Sequence, residues 1–178
     1  MKYPSSIRRA GYASPLGNMT LAVDADALVG AWFDGQNHQP ETHPWPELTE
    51  HPVLRQARRE LAEYFAGRRT RFDVPLAFAC GTDFQQAVWR ELQRIPYGTS
   101  TSYGAISAAI GRATAVRAVG TAVGRNPLGI IVPCHRVLGA DGSLTGYAGG
   151  LERKIALLRL EGVSFRADPK QEQRQGTL

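Results

Sequence analysis

Ile130-Ile131-Val132-Pro133-Cys134-His135-Arg136-Val137 is the stretch on which the reading of this chain turns. The apolar run 130–132 reads as a buried strand. Pro133 has a fixed φ and no N–H, so it ends a ladder and delivers Cys134 to a bend. A thiol is a soft nucleophile that reacts as its thiolate, and imidazole is well suited to take its proton near neutral pH. Adjacency is not enough, because neighbours in a strand point to opposite faces; a turn or a bridging water must join Cys134 to His135. On chemistry alone, a cysteine behind an apolar run is more often a small buried hydrophobe.

Outward from this stretch the chain reads as two parts. Downstream, a helix is expected over 151–160, ending at Gly162, and then a polar tail without periodicity. Upstream, Thr82-Asp83-Phe84-Gln85 fits a capping box for a helix running to about Arg94. That helix buries Phe84, Val88, Trp89 and Leu92, and Ile95-Pro96-Tyr97-Gly98 stops it. Short helices near 103–110 and 115–124, around Gly111-Arg112-Ala113-Thr114, read as helix-turn-helix. The second of them is built from Ala115, Ala118, Gly120, Ala122 and Gly124. Such a small-residue surface allows close approach, either to a neighbouring helix or to an external partner.

The first part reads as antiparallel strands. Ser14-Pro15-Leu16-Gly17-Asn18 is a turn, 19–23 a strand, Asp24-Ala25-Asp26 a turn and 28–33 the next strand. Residues 34–50 form a loop; His38, His43 and His51 lie in or beside it and read as solvated rather than metal-binding. Pro52 opens a helix with Val53, Leu54, Ala57, Leu61, Tyr64 and Phe65 as its apolar stripe, closed at Gly67. Arg68, Arg69 and Arg71 read as a solvated charge run, and Cys80-Gly81 as a boundary.

The chain has 178 residues, 43% hydrophobic and 21% charged, as in ordinary globular proteins. No apolar run reaches the length of a membrane span and no secretory signal opens the chain, so a cytoplasmic protein is expected. Cys80 and Cys134 are expected as free thiols, and without a Cys-x-x-Cys pair a thiolate zinc site has no support. A net charge of +5 and a pI near 9.6 suit a polyanionic partner. Arginine outnumbers lysine, and its planar fork fits phosphates and bases.

An ordered set of motifs resembles the O6-alkylguanine-DNA alkyltransferases, or methylated-DNA–protein-cysteine methyltransferases. The set runs from Gly81-Thr82-Asp83-Phe84-Gln85 through Ile95-Pro96-Tyr97-Gly98 and Ser102-Tyr103-Gly104. It continues with 126–137, Gly146-Tyr147-Ala148-Gly149-Gly150-Leu151 and Leu160-Glu161-Gly162. The Pro-Cys-His-Arg-Val string is close to specific, and the first 80 residues resemble the family more weakly. The resemblance implies an α+β fold, with an RNase H-like domain of antiparallel sheet plus helix over 1–80. A mainly helical winged-helix/helix-turn-helix domain follows over 81–166, and then a flexible tail over 167–178.

It also implies roles. Cys134 would be the nucleophile, His135 its partner through water, and Glu161 the carboxylate that orients His135. Tyr103 would approach phosphate and guanine N3. Arg117 would fill the base stack after nucleotide flipping, beside Ala118, Thr114 and Arg125 on DNA. Tyr147, Ala148, Val137, Gly129 and Asn126 would line or brace the alkyl pocket; the carbonyls of Cys134 and Val137 would accept from the guanine amine. Asn126 is assigned to structure rather than chemistry. No cofactor or metal is implied. The partner would be double-stranded DNA carrying O6-alkylguanine, with O4-alkylthymine a further substrate. A monomer with no membrane contact is expected, with cooperative binding on DNA left open. The rival readings are a winged-helix regulator with a structural Cys134 and a Cys-His hydrolase. A hydrolase needs an oxyanion hole that nothing in the chain marks.

Overall fold

Two tight turns build the amino-terminal sheet of the computed structural model, which describes residues 2–48 and 50–166. β1 (Arg8–Ser14), β2 (Gly17–Asp24) and β3 (Ala27–Phe33) pair antiparallel in the order β1-β2-β3. Ser14 faces Gly17 across the first turn, and Met19 faces Phe33 across the second pair. β3 is buried on both faces. Leu28, Ala31 and Phe33 face the main core, whereas Val29 and Trp32 join Ile7 and Ala22 in a smaller cluster closed by Tyr3 and Trp45. The Trp32 ring lies across Gly30, where any Cβ would overlap it.

α1 (Pro52–Phe65) packs Val53, Leu54, Ala57, Leu61 and Tyr64 into this core, while Phe65 is half-buried. Proline at the helix start costs no hydrogen bond. His51 is not simply solvated, because its Nδ1 accepts from the Val53 N–H at 3.2 Å and caps α1. The expected charge run is also partly structural. Arg69 bonds Glu63 and Asp73 at 2.8 and 3.0 Å, beside the buried Glu60 that accepts from the backbone of Asp73 and Val74.

α2 (Asp83–Leu92) begins at the Thr82–Gln85 capping box and buries Val88, Trp89 and Leu92; Phe84 stays half-buried. α3 (Tyr103–Ala109) and α4 (Val116–Gly124) form the helix-turn-helix, and Trp89 Nε1 donates to the Ala122 carbonyl of α4 at 2.9 Å. β4 (Thr101–Ser102) pairs parallel with β5 (Val137–Leu138), and α5 (Leu151–Leu160) completes an α+β arrangement. Among the described residues no helix is long and apolar enough to cross a membrane. The tail expected over 167–178 lies outside the described residues.

The strand expected at 130–132 is not there. Ile130 takes φ +69°, in the left-handed region. The Val132 N–H bonds Leu128 O at 2.8 Å and the Ile131 N–H bonds Gly129 O at 2.9 Å, so this backbone satisfies itself locally. The residues are buried as read. A short apolar run states burial, not backbone shape. The coil instead covers β3: the Ala31 N–H donates to Pro127 O at 2.8 Å and the Gly129 N–H to Ala31 O at 2.9 Å.

Candidate active site

Cys134 opens a one-turn 3-10 helix, Cys134–Arg136. That turn, not a strand end, sends the Cys134, His135 and Arg136 side chains in three directions, all buried. Cys134 Sγ accepts from Asn126 Nδ2 at 3.1 Å, and the same amide donates to Val132 O at 2.8 Å. Asn126 Oδ1 accepts from the Leu128 N–H at 3.0 Å. Asn126 therefore holds the loop through Val132 and Leu128 and also touches the Cys134 sulfur, a contact that an assignment to structure alone leaves out. Burial pushes the Cys134 thiol up, and the Asn126 amide offsets part of this. The resting thiol is thus protonated at neutral pH and needs a base.

His135 is fully buried, and its Nε2 lies 2.8 Å from Glu161 Oε1. Glu161 caps the end of α5. An anion there opposes the helix dipole, but this carboxylate is compensated. Arg136 Nε donates to Oε2 at 2.7 Å and Nη2 to Oε1 at 2.9 Å. Tyr64 of α1 donates to Oε1 at 2.6 Å. Burial alone would raise the Glu161 pKa, yet the His135 and Arg136 donors outweigh it and lower it to about 2. An ionised Glu161 accepts the Nε2 proton of His135 and leaves Nδ1 as the basic nitrogen. Nδ1 is buried with no hydrogen-bond partner among the described residues. Burial holds the His135 pKa below its ordinary value, against the pull of Glu161.

Tyr103, the first residue of α3, places its hydroxyl 2.7 Å from Thr145 Oγ1. Lys154 is fully buried; its Nζ donates to Val137 O at 2.6 Å and reaches Thr145 O and Oγ1 at 3.3 Å each. The Val137 carbonyl expected to face guanine thus already serves Lys154. Burial lowers the Lys154 pKa to about 8.

A cavity of about 350 Å³ opens beside Cys134. Tyr103, Gly120, Val123 and Gly124 form one wall, Gly146, Tyr147 and Ala148 another, and Asn37 and His38 a third. Burial, with Cys134 next to it, pushes the Tyr147 phenol well above its ordinary value, so it stays neutral. Gly129 does not line this cavity. It packs against β3, where a Cβ would sit 3.1 Å from Ala31 O. Thr114, Arg117, Ala118 and Arg125 are exposed along and beside α4, which borders the cavity through Gly120, Val123 and Gly124.

Sequence reasoning overlooked Tyr64, Arg136, Lys154, Asn37 and His38. The signal for Arg136 is a charged residue inside a largely apolar stretch, which needs a partner if buried. Tyr64 looked like one more member of an apolar stripe. Nothing in the local pattern marked Lys154 as buried.

The fold and site define a protein that presents one buried cysteine at a cavity bordered by a helix of small residues, next in the chain to a histidine paired with a buried carboxylate. Residues 83–163 match a family model described as the 6-O-methylguanine DNA methyltransferase DNA-binding domain, and residues 7–78 the ribonuclease-like domain of the same family. The methylated-DNA–protein-cysteine methyltransferase of Mycolicibacterium paratuberculosis is 49% identical over 149 residues, covering 83% of this chain and 88% of that protein. The constitutive enzyme of that name from Bacillus subtilis is 46% identical over 160 residues, covering 86% and 94%. Mycobacterium tuberculosis OGT in complex with DNA superposes with a TM-score of 0.77 at 48% identity, covering 88% of this chain and 92% of that one. The chain belongs to the methylated-DNA–protein-cysteine methyltransferase family.

Proposed function

We propose that this protein repairs DNA by direct reversal, taking the alkyl group of O6-alkylguanine onto Cys134. The observation that carries this reading is the buried His135–Glu161 pair, with His135 next to Cys134 in the chain, at a cavity that Cys134 lines and α4 borders. The Cys134 proton passes through a water to His135, and Glu161 stabilises the resulting cation. The sulfur bonds to the alkyl carbon as the carbon–O6 bond breaks. The electron pair moves to guanine, which takes a proton at N3 from Tyr103. The thioether is a poor leaving group, so each copy acts once, as a monomer and without a cofactor.

A base inside a duplex cannot reach a buried thiol and must be extruded at a cost of a few kcal/mol. Arg117, exposed on α4, stacks in the gap and offsets part of this cost. Ala118 allows close approach, and Thr114 and Arg125 hold the backbone. O4-alkylthymine presents the same alkyl–oxygen bond to the same sulfur.

Intact-protein mass spectrometry after incubation with an O6-methylguanine duplex tests the reading. The expected result is a gain of one methylene, localised to Cys134 and stopping at one equivalent. Cys134→Ser should abolish the gain, and Cys80→Ser should keep it. An unmodified mass with tight duplex binding would mark a regulator instead, and a labile acyl adduct a hydrolase.

A further inference from the structure

One wall of the cavity beside Cys134 comes from the amino-terminal half. Asn37 and His38 stand on the loop that leaves β3, and both are exposed at the mouth. This loop is tightly built. The Phe33 N–H donates to Gln36 Oε1 at 2.9 Å and the Gly35 N–H to Gln39 Oε1 at 2.8 Å. The Asn37 N–H then crosses to the opposite wall and donates to Ala148 O at 3.0 Å. His38 takes φ +63°, a conformation that a residue with a Cβ holds only when its surroundings impose it. The imidazole is therefore presented at the cavity mouth by a backbone with little freedom to withdraw it.

The other walls give differently. Gly120 and Gly124 offer no side chain, Val123 is buried, and Tyr147 is packed beside Cys134. In-line displacement places sulfur, the first alkyl carbon and O6 on one line. Atoms beyond that carbon must leave the line sideways. A methyl group has none; a larger group needs a wall to accommodate it.

We propose that His38 is a specificity-determining residue that sets the size limit for the alkyl group transferred to Cys134. This rests on the alkyl-transfer reading above. The test compares single-turnover rates on O6-methylguanine and O6-benzylguanine, each in the same duplex, for the parent protein, His38→Gly and His38→Trp. Glycine suits φ +63°, so the first variant keeps the loop. Removing the imidazole should raise the benzyl-to-methyl rate ratio about tenfold, the scale of a hydrophobic pocket contact, and tryptophan should lower it. A ratio that stays at the parent value in both variants, or rates that move by one common factor, would overturn the assignment. A parent protein that transfers neither group would overturn the alkyl-transfer reading itself, and the role of His38 with it.

Discussion

The Tyr64 phenol donates to Glu161 Oε1 over 2.6 Å, joining α1 of the amino-terminal half to the carboxylate that orients His135. The two residues are 97 positions apart in sequence. Tyr64→Phe keeps the ring and removes one donor. Glu161 then accepts more strongly from His135 and raises its basicity. Two outcomes are expected: a stability loss of about 1.5–3 kcal/mol for one hydrogen bond to a charged group, and an acid limb of the transfer-rate profile displaced to higher pH. Denaturant unfolding and single-turnover rates across pH measure both. A stability loss with an unmoved acid limb would leave Tyr64 as packing alone.

Glu161→Gln should do more than slow transfer. It leaves the Arg136 guanidinium, whose side chain is 7% exposed, without its counter-ion. Breaking a buried pair from one side costs about 3–5 kcal/mol. Pairing the change with Arg136→Met removes the stranded charge, so the double variant should unfold at higher denaturant than Glu161→Gln while staying slow. If Glu161→Gln is as stable as the parent, the ion pair contributes nothing.

Lys154 predicts a stability change in alkali. Its pKa in the folded protein is about 8, against an ordinary 10.5, so between those values the unfolded chain binds more protons. Stability from this group therefore rises with pH across that window, by up to about 3 kcal/mol. The raised pKa of Cys134 works in the opposite direction. The informative quantity is the difference between the parent and Lys154→Met, followed from pH 8 to 10.5. Parallel stability curves would show that Lys154 is not perturbed in the folded protein.

Arg117→Ala should slow transfer from a duplex more than transfer from free O6-benzylguanine, because the free base needs no extrusion. Parallel rate assays on the two substrates separate the effects. Equal losses would place Arg117 in packing, although its exposure on α4 gives it little to pack against.

Helix boundaries were legible wherever a local device sets them. The Thr82–Gln85 box starts α2, Pro52 starts α1, and α5 runs over Leu151–Leu160 as read. The stretch 130–132 was misread as a strand because apolar content reports burial and is silent on φ; Ile130 at +69° leaves no trace in composition. Cys134, His135 and Glu161 stand out as candidates through motif resemblance, and the structure pairs His135, the neighbour of Cys134 in the chain, with Glu161. What supports that chemistry was not legible. Tyr64, Lys154 and His38 reach the site across long sequence separations, through contacts no local period encodes.

Several ties between the amino-terminal half and the reactive loops use main-chain atoms: Ala31 with Pro127 and Gly129, and Asn37 with Ala148. An amide is the same at every residue but proline. Replacing surface side chains in the first eighty residues therefore leaves these particular ties to the reactive loops in place. Removing the half altogether would instead strip Gly129 and Ala148 of these main-chain partners, which no side-chain replacement elsewhere restores.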